Sequence, residues 1–499
     1  MRSIFVCLVL ACSMGGASAS AQTSASASSQ EVQQLQDKIQ QLEQLTQELK
    51  DRLAAVEKSQ SGTPQVVNAN IVRPNTTGEA TPSPASSQTT QTTQTTVTGP
   101  PTTQVIVTAQ LPTETSKESK EHPRYDVYGF VMLDFGYDFG QNDPNWFDVM
   151  RPTKLPSFTN QFGRDGRLYT GVRQTRVGIK AYFPTPLGEL KTIWEWELFG
   201  VGADAGQTTF RLRHAWGELK HIGAGQTWSP FMDPDVFPNS LEYWGPSGMV
   251  FFRNVQLRWM PVNDGNHQVW VALERPGATG DEGVLTGRVE LSGVQGRFPA
   301  PDMSARVRWG RGERDYLQIA GIGRYIAWDD LHSTATLNLG GHVWGWGVNA
   351  SSNVGIGKKD VVKMEVVYGH GIENYMNDAP ADVAPVLNPG HPRTPVTGTP
   401  LPVLGVVGFY DRYWSDRWSS SLGYSLVKID NVALQTPSEF HKGQYGLFNL
   451  MYYPTKNVMM GSEFQWGRRN NFRDGFSFDD YRIQLGFRYN FDYKFGGPK

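Results

Sequence analysis

Residues 481–491 have the sequence YRIQLGFRYNF, in which large apolar and polar side chains alternate. Every odd position from Tyr481 to Phe491 is aromatic or aliphatic, whereas Arg482, Gln484 and Arg488 occupy even positions. A period of two predicts a β-strand with two unlike faces. A soluble sandwich would bury the apolar face, and a membrane barrel would turn it toward lipid with aromatic residues near both rims. The spacing of similar stretches decides between these two folds.

The same alternation recurs throughout the second part of the chain. Trp194 and Trp196 share a face opposite Glu195 and Glu197, and the segment 303–309 repeats the pattern. The pattern predicts sixteen strands, near residues 124–139, 171–183, 188–200, 208–220, 222–229, 250–261, 266–275, 302–310, 314–327, 335–349, 360–371, 403–413, 417–428, 441–453, 457–468 and 479–493.

The connections between these strands alternate in length. Tight turns such as 184–187 alternate with long segments such as 140–170 and 372–402. Short turns at one rim and long loops at the other are typical of bacterial outer-membrane barrels. Two connections fit less well, because the turn near Leu219–Gly223 is faint and Ser351–Asp360 is long for the short-turn rim. The predicted fold is an all-β transmembrane β-barrel of about 16 antiparallel strands, preceded by an α-helical coiled coil and a disordered linker.

The first 21 residues have the features of a signal peptide. Arg2 precedes an apolar run over 4–14, and Ala19–Ala21 forms a small-residue cleavage site. A lipoprotein signal at Cys12 is the alternative, which the short apolar run before it disfavours. Because Cys7 and Cys12 are the only cysteines, we expect no disulfide, thiolate nucleophile or cysteine metal site in the mature chain.

Residues 22–58 form an N-terminal segment that contains a heptad pattern over 30–58. Apolar residues from Val32 to Val56 step by three and four, and polar residues fill the other positions. This spacing predicts an oligomeric coiled coil, with a single amphipathic helix packed on the barrel as the alternative. Residues 59–122 are rich in Thr, Ser, Pro and Gln and predict an extended linker. Residues 123–499 are assigned to the barrel.

Composition and motifs exclude several classes of function. A formal net charge of −2 gives no basic field of the kind that a nucleic-acid-binding protein needs. The sequence has neither a G-x-S-x-G nor an H-E-x-x-H motif, so we expect no enzyme activity, no catalytic residue, no cofactor and no metal site. An outer-membrane barrel hydrolase is the alternative, since a serine and a histidine from different strands can meet in a barrel.

Arginines within the strands are candidates for the channel lining. An arginine that faces lipid at the bilayer midplane costs about 2–4 kcal/mol, so these side chains are expected to point inward. The pore-lining or substrate-contacting candidates are Arg176, Lys180, Arg211, Arg213, Arg258, Arg306, Arg308, Arg482, Arg488, Glu195 and Glu197. The inward acids are fewer, with Asp134, Glu365 and Glu463 as the others. Guanidinium groups bind carboxylates in a fork geometry, and a purely structural network between these cations and acids is the alternative.

His214 does not fit the alternation of its strand. The period of two places it on the apolar face with Phe210, Leu212 and Trp216. That face is interpreted as a subunit interface, where a polar side chain can find a partner.

The connection over 228–249 is unusually apolar for a surface loop. It carries Asp233, Asp235, Glu242, Tyr243 and Trp244 among other large side chains. Exposed apolar groups on this scale are uncommon in water, so we expect the loop to fold into the barrel and constrict it. A loop that caps the rim or grips a neighbouring subunit is the alternative.

The order of segments resembles that of the DcaP-like porins of Gram-negative outer membranes. The resemblance rests on that order, on Tyr125–Asp134 at the first strand, on Asn142–Trp146 and on Gly225–Ser229. It implies a homotrimer of sixteen-stranded channels whose third extracellular loop folds inward and which favour anions such as dicarboxylates. The chain departs from the usual barrel ending, because Asp492–Lys499 follows the last aromatic of the strand, Phe491.

The predicted function is an outer-membrane diffusion channel for small hydrophilic solutes that favours anions. The expected partners are small anionic solutes, outer-membrane lipid and two further copies of the chain, and no nucleic acid. The coiled coil is expected in the periplasm, where it is free to take a partner. An envelope tether or adhesin, in which the coiled coil is the functional part, is the alternative.

Overall fold

The computed structural model describes residues 122–496, so the predicted signal peptide, coiled coil and nearly all of the linker lie outside the described residues. The strands of this part are β1 (Arg124–Asp138), β2 (Arg167–Gly171), β3 (Arg176–Thr185), β4 (Gly188–Phe199), β5 (Thr208–Leu219), β6 (Ile222–Trp228), β7 (Arg253–Asn263), β8 (His267–Glu274), β9 (Val294–Arg297), β10 (Asp302–Arg311), β11 (Asp315–Asp330), β12 (Gly341–Ile356), β13 (Asp360–His370), β14 (Val383–Leu387), β15 (Val396–Pro400), β16 (Pro402–Tyr413), β17 (Trp418–Ile429), β18 (Phe440–Thr455), β19 (Val458–Asn471) and β20 (Ser477–Gly496). Short 3₁₀ helices in its connections span Pro144–Trp146, Pro152–Lys154, Gly202–Asp204, Pro234–Val236, Gly283–Leu285, Val289–Leu291 and Glu373–Tyr375.

Sixteen of the strands within 122–496 close into one antiparallel barrel, which confirms the predicted fold of this region. Each barrel strand pairs with the next along the chain, and the last, β20, pairs with β1 over the whole of Arg124–Asp138. The short strands β2 and β9 extend the wall beside β1 and β11, and β14 and β15 form a separate hairpin in a long connection. No helix in the described part is long and apolar enough to cross a membrane.

The two connections that fit the predicted alternation less well, between β5 and β6 and between β12 and β13, are both short turns. Between β5 and β6 only Lys220 and His221 intervene, and Lys220 adopts a positive φ of 54°. The predicted strand 335–349 was placed too early, because β12 runs on to Ile356 and the turn to β13 is only 357–359. Small polar residues at Ser351 and Asn353 hid this continuation, since they face inward on an otherwise regular strand.

The two faces of each strand are inverted relative to a soluble protein. On β20, Tyr481 is 45% exposed on the outside, whereas the Arg482 side chain is 0% exposed on the inside. Large apolar and aromatic side chains are exposed along the outside of the described barrel, whereas the buried side chains include nearly as many apolar as polar and charged residues. This inversion is characteristic of a lipid-facing barrel wall.

The expectation for His214 was wrong. A β-bulge shifts the register between β4 and β5, so that Glu195 is opposite His214 but Trp196 is opposite Leu212. The extra residue, Arg213, places both itself and His214 on the inner side, where His214 Nδ1 lies 3.0 Å from the hydroxyl of Thr227. One inserted residue thus reverses the alternation for the rest of the strand.

Candidate functional site

The connection between β6 and β7, residues 229–252, enters the barrel and is called the inward loop here. Phe231, Met232 and Phe237 of this loop are buried against the inner wall rather than exposed at the rim. The wall contributes Val367 and Val403 to the same cluster. The loop therefore fills part of the barrel interior.

Wall carboxylates hold the backbone of the inward loop. Glu463 on β19 accepts hydrogen bonds from the Leu241 and Glu242 N–H groups at 2.8 and 3.1 Å. Glu365 on β13 accepts one from the Val250 N–H at 2.7 Å. Glu365 and Glu463, which sequence reasoning counted among inward acids, thus anchor the loop.

The loop's own acids are also engaged. Asp233 accepts hydrogen bonds from the Tyr316 hydroxyl at 2.7 Å and from the Ser351 hydroxyl at 2.6 Å. Asp235 lies 2.5 Å from Arg308 Nη1, so this arginine is an anchor for the loop. These carboxylates bind the inner wall.

Glu242 fastens the far end of the loop. It accepts hydrogen bonds from the Met150 N–H at 3.0 Å and from the Gly245 N–H. Burial raises the pKa of the Glu242 carboxyl to about 8, although these two N–H groups oppose the shift. The loop is therefore joined to the long connection that contains Met150 through a carboxyl group that titrates near neutral pH.

The aromatic residues of the loop pack against the end of β4 and two long connections. Tyr243 stacks on Phe199 at 4.0 Å between ring centroids, and Trp244 meets Trp146 edge-to-face at 4.9 Å. Trp244 Nε1 donates to the Asn377 carbonyl at 2.7 Å. The loop is therefore also held at the long-loop end of the barrel.

The first group of predicted lining residues forms an ion-pair network. Arg213 lies 2.6 Å from Glu195 and 2.8 Å from Glu197, and Arg176 lies 3.7 and 3.1 Å from the same acids. Arg211 is 3.6 Å from Glu197 and is one-quarter exposed. These residues have the contacts expected from the structural-network alternative.

Other predicted cations also point inward. Arg482 pairs with Asp138, and its Nη2 donates to the Phe147 carbonyl at 3.0 Å. Lys180 lies with its Nζ 5.1 Å from the ring centre of Tyr128. Arg482 therefore supports the long connection above it.

Three of the arginines predicted to line the channel have no carboxylate within ion-pair distance among the described residues: Arg258, Arg306 and Arg488. Arg306 stacks on Trp270 at 3.4 Å and Arg258 contacts the same ring at 4.4 Å. The Nε of Arg306, and Nε and Nη2 of Arg488, are buried without a hydrogen-bond partner. Buried N–H groups of this kind favour an added acceptor, since leaving them unsatisfied costs about 1–3 kcal/mol each.

Inward aromatic rings separate like charges along this wall. Trp270 lies between Arg258 and Arg306, and Phe130 is 5.3 Å from both Arg176 and Arg488. A cation over an aromatic face is stabilised by about 0.5–2 kcal/mol, more when desolvated. The rings thus let the wall hold arginines close together. The sequence argument missed these rings because it assigned aromatic residues to the lipid face.

Sequence reasoning also missed Arg253 and Arg151. Strand β6 pairs with β5 only over Ala215–Leu219. Residues 208–214 of β5 therefore have no paired strand on the β6 side. Arg253 reaches this gap, with its Nη2 3.8 Å from Glu197, although the alternation of β7 would turn it outward.

The expectation that inward acids are fewer was wrong as well, because buried carboxylates outnumber buried cations in the described region.

A cavity of about 310 Å³ lies beside the gap, near the long-loop rim. Its lining includes three cations, Arg151, Arg211 and Arg253, together with Trp244 and Phe252. Arg151 packs over Trp244 at 4.1 Å and pairs with Asp378 at 2.9 Å. The cavity therefore combines cationic and aromatic surfaces next to the inward loop.

A closed sixteen-stranded barrel with an apolar exterior, a charged interior and a loop folded into it defines the class of outer-membrane channels. Comparison with known families is more specific. The family model of the DcaP outer membrane protein matches residues 109–491, so the chain belongs to that family. The resemblance drawn from the sequence is thereby confirmed, as is the outer-membrane location.

The fold is shared with a solved outer-membrane channel. The outer membrane channel DcaP of Acinetobacter baumannii has a TM-score of 0.62 at 20% identity and covers 75% of this chain and 99% of that one. OmpT of Vibrio cholerae gives 0.44 at 12%, covering 74% and 98%. An anion-selective porin from Comamonas acidovorans gives 0.43 at 10%, covering 74% and 100%. No curated protein matches the chain.

Proposed function

We propose that this outer-membrane channel passes small hydrophilic solutes and favours anions, dicarboxylates in particular. The observation that carries the proposal is the set of inward arginines without a carboxylate partner, Arg258, Arg306 and Arg488. The acids Asp233 and Asp235 of the inward loop face the wall, where Arg308 lies 3.8 and 2.5 Å from them and offsets part of their charge. A carboxylate would satisfy the guanidinium N–H groups that the protein leaves unpaired.

Arg306 offers the clearest test. Arg306→Ala is expected to shift the reversal potential of the channel toward cations and to weaken block by a dicarboxylate such as succinate. Arg306→Lys is expected to keep the ion preference but to weaken the block, because lysine lacks the two-pronged donor geometry. Arg393→Ala removes the same charge from an exposed position in a long connection and is the matched control. Unchanged selectivity and block in Arg306→Ala would refute the role of this residue.

We also propose that the channel is a homotrimer, as the resemblance implies. Residues 208–214 of β5 have no paired strand on the β6 side, and the side-chain amide of Gln226 caps the Leu212 and Arg213 carbonyls there. Open sheet edges are not tolerated in contact with lipid, so a second copy is expected to cover this gap. Phe210, 76% exposed on the same strand, would then be buried. Native mass measurement of the purified barrel tests the assembly.

The two other functions have direct tests. A hydrolase would release fatty acid from phospholipid vesicles, and we expect no such activity. A tether or adhesin would lose its function without residues 30–58 and would show no ion conductance. Sustained conductance by the chain lacking those residues would favour the channel.

A further inference from the structure

The outer surface of β17, β18 and β19 carries three cations at the long-loop rim: Lys428, Lys442 and Arg468. Each lies on the same face of its strand as exposed apolar residues nearer the middle of that strand, such as Leu422 and Phe448. These cations therefore point away from the barrel interior. Lys428 lies one residue before the end of β17, Lys442 two residues after the start of β18 and Arg468 three residues before the end of β19. All three strand ends meet the long-loop rim, at the level of the lipid head groups.

The described residues balance this charge only in part. Lys428 and Lys442 are direct cross-strand partners, an arrangement in which like charges repel. Lys442 has no ion-pair partner within the described residues. Lys428 lies 2.8 Å from Asp430 and Arg468 lies 3.3 Å from Asp479, but both cations are more than one-third exposed. Exposed pairs of this kind contribute at most about 1 kcal/mol, so the site retains a local positive field.

Polar-tipped aromatic residues lie directly below the cations. Tyr424 and Trp466 are stacked with their ring centres 6.5 Å apart. The Tyr424 hydroxyl donates to Gln444 at 2.8 Å, and Trp466 Nε1 donates to Asp479 at 2.9 Å. Such rings sit at the boundary between head groups and acyl chains. Further toward the midplane the same face becomes apolar.

We propose that Lys428, Lys442 and Arg468 bind the phosphate group of a glycolipid in the outer leaflet of the membrane. The long-loop rim of an outer-membrane barrel faces the cell exterior, so this surface meets the head groups of that leaflet. The order of cation, polar-tipped aromatic and apolar surface matches a phosphorylated head group followed by acyl chains. The Arg468 guanidinium supplies a forked donor, and the two lysines supply ammonium donors on either side.

Binding is measured on the folded full chain in detergent, with lipid A as the probe and its enzymatically dephosphorylated form for comparison. The test variant is Lys428→Gln, Lys442→Gln and Arg468→Gln together. The matched control replaces two lysines and one arginine in the short-turn connections of the opposite rim, Lys358, Lys456 and Arg417, by Gln. Lys442→Gln alone is a second variant, since it breaks no ion pair. Heat-modifiable migration on gels verifies that every variant is folded.

The wild-type chain and the control are expected to bind lipid A at least tenfold more tightly than the dephosphorylated form. The triple variant is expected to lose this preference, and Lys442→Gln to reduce it severalfold. Inorganic phosphate at equal concentration is expected to compete poorly, because it lacks the acyl chains. Equal weakening in the test and control variants, or no preference for the phosphorylated lipid, would overturn the proposal. Channel conductance is expected to stay unchanged in all variants, so this result is independent of the proposed transport function.

Discussion

Glu463 is the residue on which the position of the inward loop depends most directly. Its carboxylate accepts four hydrogen bonds, from the Leu241 and Glu242 N–H groups and from the Asn449 and Gln465 side chains, at 2.8–3.1 Å. Glu463→Gln keeps the size of the side chain but turns an NH₂ group toward some of these donors. Each carboxylate oxygen accepts one bond from the loop and one from a wall side chain. The NH₂ group therefore removes one loop bond, at about 2 kcal/mol, and the other loop bond changes from charge-assisted to neutral, at about 1 kcal/mol, so the attachment weakens by about 3 kcal/mol.

A change of about 3 kcal/mol corresponds to a rise of roughly 150-fold in the ratio of released to attached loop. Single-channel recording in planar bilayers is expected to show frequent excursions to a larger conductance in Glu463→Gln. Glu189→Gln is the matched control, because Glu189 is exposed beside the short turn between β3 and β4. Recordings of folded Glu463→Gln that are indistinguishable from wild type would refute the anchoring role of this carboxylate.

Three further predictions concern the loop and the assembly. Deleting Asp233–Pro246 is expected to raise conductance severalfold while the barrel stays folded, and unchanged conductance would place the loop at the rim. Because burial raises the pKa of Glu242 to about 8, loop attachment is expected to be strongest below the unfolded pKa of about 4.5 and to weaken as pH rises through 8. Single-channel recording checks this: the current noise is expected to increase between pH 5 and 9 in the wild-type channel but not in Glu242→Gln. Deleting Gln30–Lys58 is expected to leave the trimer intact in native mass measurements, and a monomer would make the coiled coil the assembly element.

The barrel was predictable from sequence because each strand repeats one simple rule. Lipid outside and polar groups inside impose a period of two, and the final strand from Tyr481 to Phe491 shows it in isolation. The turns between these alternating stretches then predict the number of strands. Where small polar residues such as Ser351 and Asn353 replace larger inward groups, the strand continues without a visible signal, and the predicted boundary was wrong.

The interior was less predictable, because its contacts join residues far apart in the chain. The period of two gives the inward direction of Arg308 but not its partner Asp235, which comes from the inward loop. The bulge at Arg213 adds one residue and reverses the assignment of His214, which no alternation can reveal. Which arginines remain unpaired therefore depends on the path of the loop and cannot be read from the strands alone.

Ion selectivity of the wild-type channel tests the central claim most directly. The measurement is the reversal potential in a planar bilayer between two potassium chloride solutions of unequal concentration, at low ionic strength so that screening is weak. Because Arg258, Arg306 and Arg488 have no carboxylate partner among the described residues, the potential is expected to move toward the chloride equilibrium potential. A shift toward the potassium equilibrium potential would mean that the buried carboxylates dominate the field, and would contradict the proposed anion channel.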